Sequence, residues 1–301
     1  MASGQTQSYG GEWTKLKLQM LGEYLAAYAT ALKKQSFERL YIDAFAGTGY
    51  REAAPAALAS GFFAPELAED EPQEFFDGSA RIAVQVKPPF HRYVFIEQSA
   101  NRFAELCNLK QEFPELADSM DFIHGDANKE LLELCGTWDR RKMRGVLFLD
   151  PFGMQVDWTT MEAVACTRAI DVWILFPLGM GVNRLLPRNG KIRDSWRARL
   201  DRFFGASDWY DAFYRPARWK GFFDLEPPMV KIGSLNAIAD YYQDRLRTIF
   251  AAVADNPRVL TNSRNAALFL LCFAVSNPSP KAIEAALGIA QHILDKDRSW
   301  A

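Results

Sequence analysis

The feature that most constrains this chain is a repeated unit. A short apolar run stops at an acid or a turn and hands over to a helical stretch. Five such runs follow in order: Tyr41-Ile42-Asp43, Tyr93-Val94-Phe95-Ile96-Glu97, Phe122-Ile123-His124-Gly125-Asp126, Val146-Leu147-Phe148-Leu149-Asp150, and Ile170 to Phe176, which Pro177 halts. Apolar runs of this length, without polar alternation, read as strands buried on both faces. Their alternation with helices implies a parallel sheet covered on both sides. Open sheets of that kind bind ligands just outside the carboxyl ends of their strands. Asp43, Glu97, Asp126 and Asp150 all fall there. Any one of them is equally well read as a helix cap. Four in order, with a Gly47-x-Gly49 turn on the first, are hard to obtain from caps alone.

Helical spacing of Leu16, Met20, Tyr24, Leu25, Tyr28 and Leu32 predicts a helix over 12–34, with Lys15, Lys17 and Lys33 among its polar positions. Further helices are expected at 79–86, 100–113, 128–135, 158–166, 235–250 and 280–294. After the fifth strand come 258–261 and 267–274, joined by Asn262-Ser263-Arg264-Asn265, which permits an antiparallel hairpin. The expectation is a doubly wound, mostly parallel seven-stranded α/β sheet of the class I methyltransferase-like Rossmann kind, with a C-terminal antiparallel hairpin. Residues 1–11 read as a flexible terminus, and 51–77 as an acidic surface excursion inserted after the first strand. The sheet domain then covers 12–182 and 230–301, and 183–229 is an inserted basic and aromatic helical subdomain.

The 301 residues suffice for one large domain, and the formal charge of −2 argues against a uniformly basic nucleic-acid coat. A local patch is another matter. Between Asn183 and Phe223 ten basic residues, including Arg184, Arg188, Lys191 and Arg193, face four acids, for a local net charge of +6. Aromatics are interleaved there. They read either as stacking platforms beside phosphate-binding cations or as the core of the subdomain with arginines on its solvated face. The four cysteines form no CxxC pair and the three histidines no HxxxH, so no metal site is expected. No apolar run is long enough to span a bilayer, and a cytosolic protein is expected.

Taken together, YIDAFAGTG (41–49), the Gly78-Ser79 step, YVFIE (93–97), GDAN (125–128), LFLDPFG (147–153) and IDVWILFP (170–177) resemble the three-Cys-motif partner (TcmP) family. The resemblance extends over most of the chain. It implies a class I fold that binds S-adenosylmethionine (SAM), and a Cys-rich, radical-SAM-like protein as a partner. On that layout Asp43, Ala46, Gly47 and Gly49 take the methionine part of SAM, Glu97 the ribose hydroxyls, and Asp126 with Ala127 the adenine. Asp150-Pro151-Phe152-Gly153 resembles the motif of methyltransferases acting on exocyclic amines of nucleic acids. Asp150 and the Pro151 carbonyl would hold the amine and Phe152 would stack on a base. The chemistry expected is SAM-dependent methyl transfer to a nucleobase of RNA or DNA. The alternative is a non-catalytic methyltransferase-like protein that regulates the radical-SAM-like partner. A dinucleotide oxidoreductase fits less well, because Glu52 stands where the third glycine of G-x-G-x-x-G should fall.

Overall fold

The computed structural model describes residues 12–48, 78–217 and 227–296. Gly49 and the acidic excursion lie outside the described residues, as do the first eleven residues. The chain opens with helix α1 (Glu12–Ala31) and strand β1 (Glu38–Asp43). Helix α2 (Ser79–Gln85) leads to β2 (Arg92–Glu97), and two short helices, α3 (Ala100–Leu106) and α4 (Leu109–Glu112), lead to β3 (Met120–His124). Then come α5 (Ala127–Gly136), β4 (Met143–Leu149), α6 (Trp158–Cys166) and β5 (Ile170–Phe176).

The strands β3-β2-β1-β4-β5 run parallel in that spatial order. Beyond β5 lies β10 (Ala267–Val275), antiparallel to it from Leu270↔Phe176 to Val275↔Asp171. The seventh position differs from the sequence expectation. It is shared by two short strands in line, β8 (Ala252–Val253) and β9 (Arg258–Thr261), which pair with opposite ends of β10. The intervening Asn256-Pro257 explains the break, since proline donates no ladder hydrogen bond. The predicted hairpin turn is present: Asn262 Oδ1 accepts from the amides of Arg264 and Ala266, both at 3.0 Å. The fold is a doubly wound, mostly parallel sheet of the class I methyltransferase type.

Successive side chains on a strand point to opposite faces, so each strand feeds two cores. Ile42, Val94, Leu147 and Val172 pack under α5 and α6. Tyr41, Phe95, Phe148 and Trp173 pack under α1, α2 and the last helix, α10 (Pro280–Asp295). At the centre of the second core Tyr24, Trp173 and Phe273 meet with ring centroids 4.8–5.4 Å apart.

Among its described residues the 183–229 segment adds a short ribbon to its helices. It contains α7 (Asp194–Phe204) and α8 (Trp209–Phe213), followed by a two-stranded ribbon, β6 (Tyr214–Pro216) with β7 (Met229–Lys231). Most of its described aromatics are not free platforms. Phe203, Phe204, Trp209, Phe213 and Tyr214 are all buried and join the core beneath β5, together with α9 (Leu235–Arg247). Phe203 stacks against Phe176 of β5 and Tyr242 of α9 at centroid distances of 5.8 Å. The arginines between them, Arg193, Arg197, Arg199 and Arg202, are exposed. Aromatic burial wins because each large ring gains more from leaving water than a surface stacking role returns without a ligand.

Candidate functional site

The carboxyl ends of β1, β2 and β4 meet in one crevice, and hydrogen bonds join them. The first turn after β1 brings Gly47 into the left-handed region, φ +62°, where glycine is favoured. Its amide donates to Glu97 Oε2 at 3.0 Å. Ala46, one residue earlier, is tied by its amide to the Ile96 carbonyl at 3.0 Å. Glu97 is 5% exposed, and its other oxygen accepts from the Ser99 amide at 2.7 Å. The Arg102 Nε lies 3.3 Å from that same oxygen. Thus the turn and the acid at the tip of β2 are positioned by each other before any ligand arrives.

Asp43, at the end of β1, is fully buried. Burial pushes its carboxyl up to about 6, against the opposing hydrogen bond from the Ser79 side chain; the charge of Asp150 raises it further. The Phe45 amide and the Tyr41 hydroxyl also donate to it, at 3.3 and 3.2 Å. Ser79 opens α2, so the Gly78-Ser79 step places a donor on the first strand's acid.

Asp150 follows β4. Its Oδ2 accepts from Lys17 Nζ at 2.5 Å. The sequence reading put Lys17 among the polar positions of α1. The structure corrects this: Lys17 is 4% exposed, with its ammonium 5.2 Å from the Trp13 ring centroid and 5.9 Å from that of Phe148. A buried ammonium is tolerated only where it is paired and hydrogen-bonded. The signal was available, since 17, 21, 24 and 28 fall on one helical stripe and Leu21, Tyr24 and Tyr28 are buried. A lysine on that stripe demands a carboxylate opposite it. Pro151 is buried, whereas Phe152 is 50% exposed and Gly153 takes φ +77°. The Arg102 guanidinium lies over the Phe152 ring, 5.2 Å from its centroid.

Asp126 sits next along, at the tip of β3, and caps α5 by accepting from the Lys129 amide at 3.1 Å. That is the ordinary capping role foreseen for such acids. Ala127, the first residue of α5, is buried. The neighbouring Gly125 amide donates to the Glu97 carbonyl at 3.2 Å, so this loop is fastened to the crevice. Asn128 fastens it to the loop after β4. Its Nδ2 donates to the Gln155 carbonyl at 2.8 Å, and its Oδ1 accepts from the Asp157 amide and the Thr160 hydroxyl at 2.9 Å each.

The basic residues singled out from the sequence leave the sheet after β5. Arg188, Lys191 and Arg193 are exposed and Arg184 is half-buried. No hydrogen bond or ion pair among the described residues joins Arg188, Lys191 or Arg193 to the crevice acids.

No family model matches the chain, and no curated protein matches it. The chain is similar to several solved structures at low identity. A protein of the DUF519 family from Legionella pneumophila str. Philadelphia 1 is 12% identical, with a TM-score of 0.48 over 95% of this chain and 94% of that one. Spermidine synthase from Thermotoga maritima is 9% identical, with a TM-score of 0.38 over 87% of this chain and 61% of that one. The N-terminal domain of EvdMO1 with SAH bound is 11% identical, with a TM-score of 0.36 over 85% and 80%. The strand order itself carries the fold.

Among the described residues no helix is long and apolar enough to cross a membrane.

Proposed function

We propose that this protein is a SAM-dependent methyltransferase whose acceptor is an exocyclic amine of a nucleobase in RNA or DNA. The observation that carries the reading is the linked row of strand tips: the Gly47 amide donates to Glu97, Arg102 spans Glu97 and the Phe152 ring, and Asp150, two residues before Phe152, is ion-paired to a buried lysine. The residues suit SAM. A Cβ built on Gly47 would meet nothing within 4 Å among the described residues, which suits close approach of a ligand to the turn backbone. Ala46 and Gly47 would meet the methionine part, and Asp43, buried behind the turn, would act on its ammonium through the turn or a water. Glu97 would accept from the ribose hydroxyls, and Asp126 with Ala127 would flank the adenine. SAM supplies a methyl group on a sulfonium, a strong electrophile, so the chain's own contribution is alignment.

Asp150 supplies that alignment for the acceptor. Lys17 occupies Oδ2, which leaves Oδ1 and the Pro151 carbonyl to accept from the two N–H bonds of an amine and aim its lone pair. The Asp-Pro-Phe-Gly sequence supports an amine acceptor, and the exposed cations Arg188, Lys191 and Arg193, with Arg184, suit a phosphate backbone. The resemblance to the three-Cys-motif partner family supports a second reading, a non-catalytic protein regulating a Cys-rich radical-SAM-like partner. What favours it is that Glu97 and Asp150 already hold Arg102 and Lys17 within the chain.

Two measurements separate these. Calorimetry with SAM and S-adenosylhomocysteine (SAH) should give saturable heat that Glu97→Ala abolishes; no heat from the wild type removes the cofactor. Tritium from methyl-labelled SAM should enter bulk RNA or DNA and fall by roughly a hundredfold or more in Asp150→Ala. Binding without transfer to either nucleic acid favours the regulatory reading.

A further inference from the structure

Phe152 was assigned to the acceptor on sequence grounds, as the ring that stacks on a target base. Its surroundings point elsewhere. The ring carries the Arg102 guanidinium on its face at 5.2 Å, and Arg102 belongs to α3, the helix that follows β2. The same guanidinium group reaches Glu97 Oε1 at 3.3 Å. In the sheet, β2 lies two positions from β4, with β1 and its glycine turn between them. The Phe152 ring therefore leans from the tip of β4 across the β1 turn toward β2. The other flank of Asp150 is held by α1, where Lys17 pairs with the carboxylate and Trp13 stacks on Phe269 of β10, centroids 4.9 Å apart. Lys17 thus lies on the α1 side of Asp150, and Phe152 reaches toward the side of Glu97.

Resting on the SAM reading above, we propose that Phe152 and Arg102 form a clasp over the adenosine part of the cofactor, and that Phe152 does not serve the acceptor base. Two features of the geometry support the assignment. Glu97 Oε1 already accepts from the Ser99 amide and Arg102, whereas among the described residues Oε2 accepts from the Gly47 amide alone. A carboxylate oxygen accepts about two hydrogen bonds, so Oε2 keeps capacity for a ribose hydroxyl while Arg102 stays in place. In addition, half the surface of Phe152 is open, which leaves the ring edge and part of its face free for an apolar or aromatic ligand surface. A guanidinium on one side polarises the ring and fixes its orientation, so the surface offered to adenosine is pre-organised. The acceptor is left to the α1 side of Asp150.

Calorimetry with SAH and with 5′-methylthioadenosine, which lacks the amino-acid end, tests the clasp. Wild type should bind both. Phe152→Ala and Arg102→Ala should each weaken both ligands by roughly three- to thirtyfold. Phe152→Tyr, which keeps the ring, should stay within about twofold of wild type on the same scale. Because Phe152 is half-exposed, melting curves of Phe152→Ala should overlay those of the wild type and show that lost binding is not lost folding. Unchanged SAH affinity in both alanine variants overturns the clasp while the cofactor reading stands. Weakened SAH with unchanged 5′-methylthioadenosine also overturns it, by moving the ring to the methionine end. Absence of SAH binding by the wild type itself brings down the cofactor reading and the clasp together.

Discussion

Helix α1 touches an acid at each end of the sheet, one half-buried and one buried, and the two acids are held in different ways. At the carboxyl end Lys17 gives a full positive charge to Asp150, which stays a quarter open to solvent. Seven residues on, about 10 Å along the helix, the Tyr24 hydroxyl donates to Asp171 Oδ2 at 2.7 Å. Asp171 stands at the amino end of β5, 8% exposed, and burial pushes it up to about 7 against the Tyr24 hydrogen bond and the Arg144 charge. One acid is charged, paired to a cation and opens on a crevice. The other has a neutral partner and no opening, under Tyr24, Tyr28 and Trp173. Burial alone therefore does not mark a site; a buried acid with a charged partner and an open side does. Asp43 lies between these extremes. It is sealed like Asp171, yet it senses Asp150 and stands behind the glycine turn.

The largest expected effect tests that ranking through pH. A carboxyl raised in the folded state holds its proton more tightly than in the unfolded chain. Its stabilising contribution is complete below about pH 4 and is lost as the pH rises through about 7 for Asp171 and about 6 for Asp43. Asp171→Asn is neutral throughout. Urea unfolding should show wild type losing roughly 3 kcal/mol relative to this variant between pH 4 and 8. Asp43→Asn should show the same trend in a window ending about one unit lower. Saturating SAH, whose ammonium would act on Asp43 through the turn or a water, should move the Asp43 window down and leave that of Asp171 in place. An Asp171 window that moves with SAH would erase the distinction between the two ends.

Next in size is Lys17→Met. It leaves Asp150 without its cation, and partial access of Asp150 to water limits the cost to about 2 kcal/mol. A double-mutant cycle with Asp150→Leu should recover most of it, since the cost comes from an unpaired charge. Tyr24→Phe at the other end should cost about 1 kcal/mol, the net worth of one buried hydrogen bond. SAH binding should be unchanged. A Tyr24→Phe variant that binds SAH poorly would make the amino-end acid part of the site after all.

These differences also explain what the sequence could convey. Strands β2, β4 and β5 were legible because burial on both faces removes the polar alternation that blurs shorter elements; the structure extends them by three residues at most. The acids at their tips were legible because a charge directly after an apolar run has no other way to reach solvent or a ligand. Lys17 was misplaced because its role depends on a residue 133 positions away, which helical spacing alone does not supply. Arg102 had no sequence signal, since one arginine on a short polar helix looks like solvated surface until Glu97 and Phe152 are seen around it. The split seventh position was missed because Ala252–Val253 is two residues long. The interleaved aromatics of 183–223 left two readings open, and for Phe203 and Phe204 only packing against residues such as Phe176 and Tyr242 shows that they are core.

The smallest effect on stability belongs to the exposed arginines, and here the two ends should again separate. Arg193, Arg197 and Arg199 lie on the segment that leaves the carboxyl end after β5, whereas Arg140 and Arg141 are exposed just ahead of β4 at the amino end. Alanine at any of these five positions should change unfolding free energy by less than about 0.5 kcal/mol, as is usual for surface sites. Nucleic-acid retention should not treat them alike. If the crevice end faces a phosphate backbone, Arg193→Ala and Arg199→Ala should each lower the salt slope of binding by about one. Arg140→Ala and Arg141→Ala should leave it unaltered. Arg197 is a special case, because its guanidinium stacks on Tyr210 at 4.6 Å and Trp209 at 5.7 Å and is held in place before any ligand binds. A pre-set cation loses less freedom on binding than a free one, so Arg197→Ala should weaken retention more than its neighbours do. Equal slopes for all five variants would mean that the charge after β5 solvates the fold and serves no polyanion.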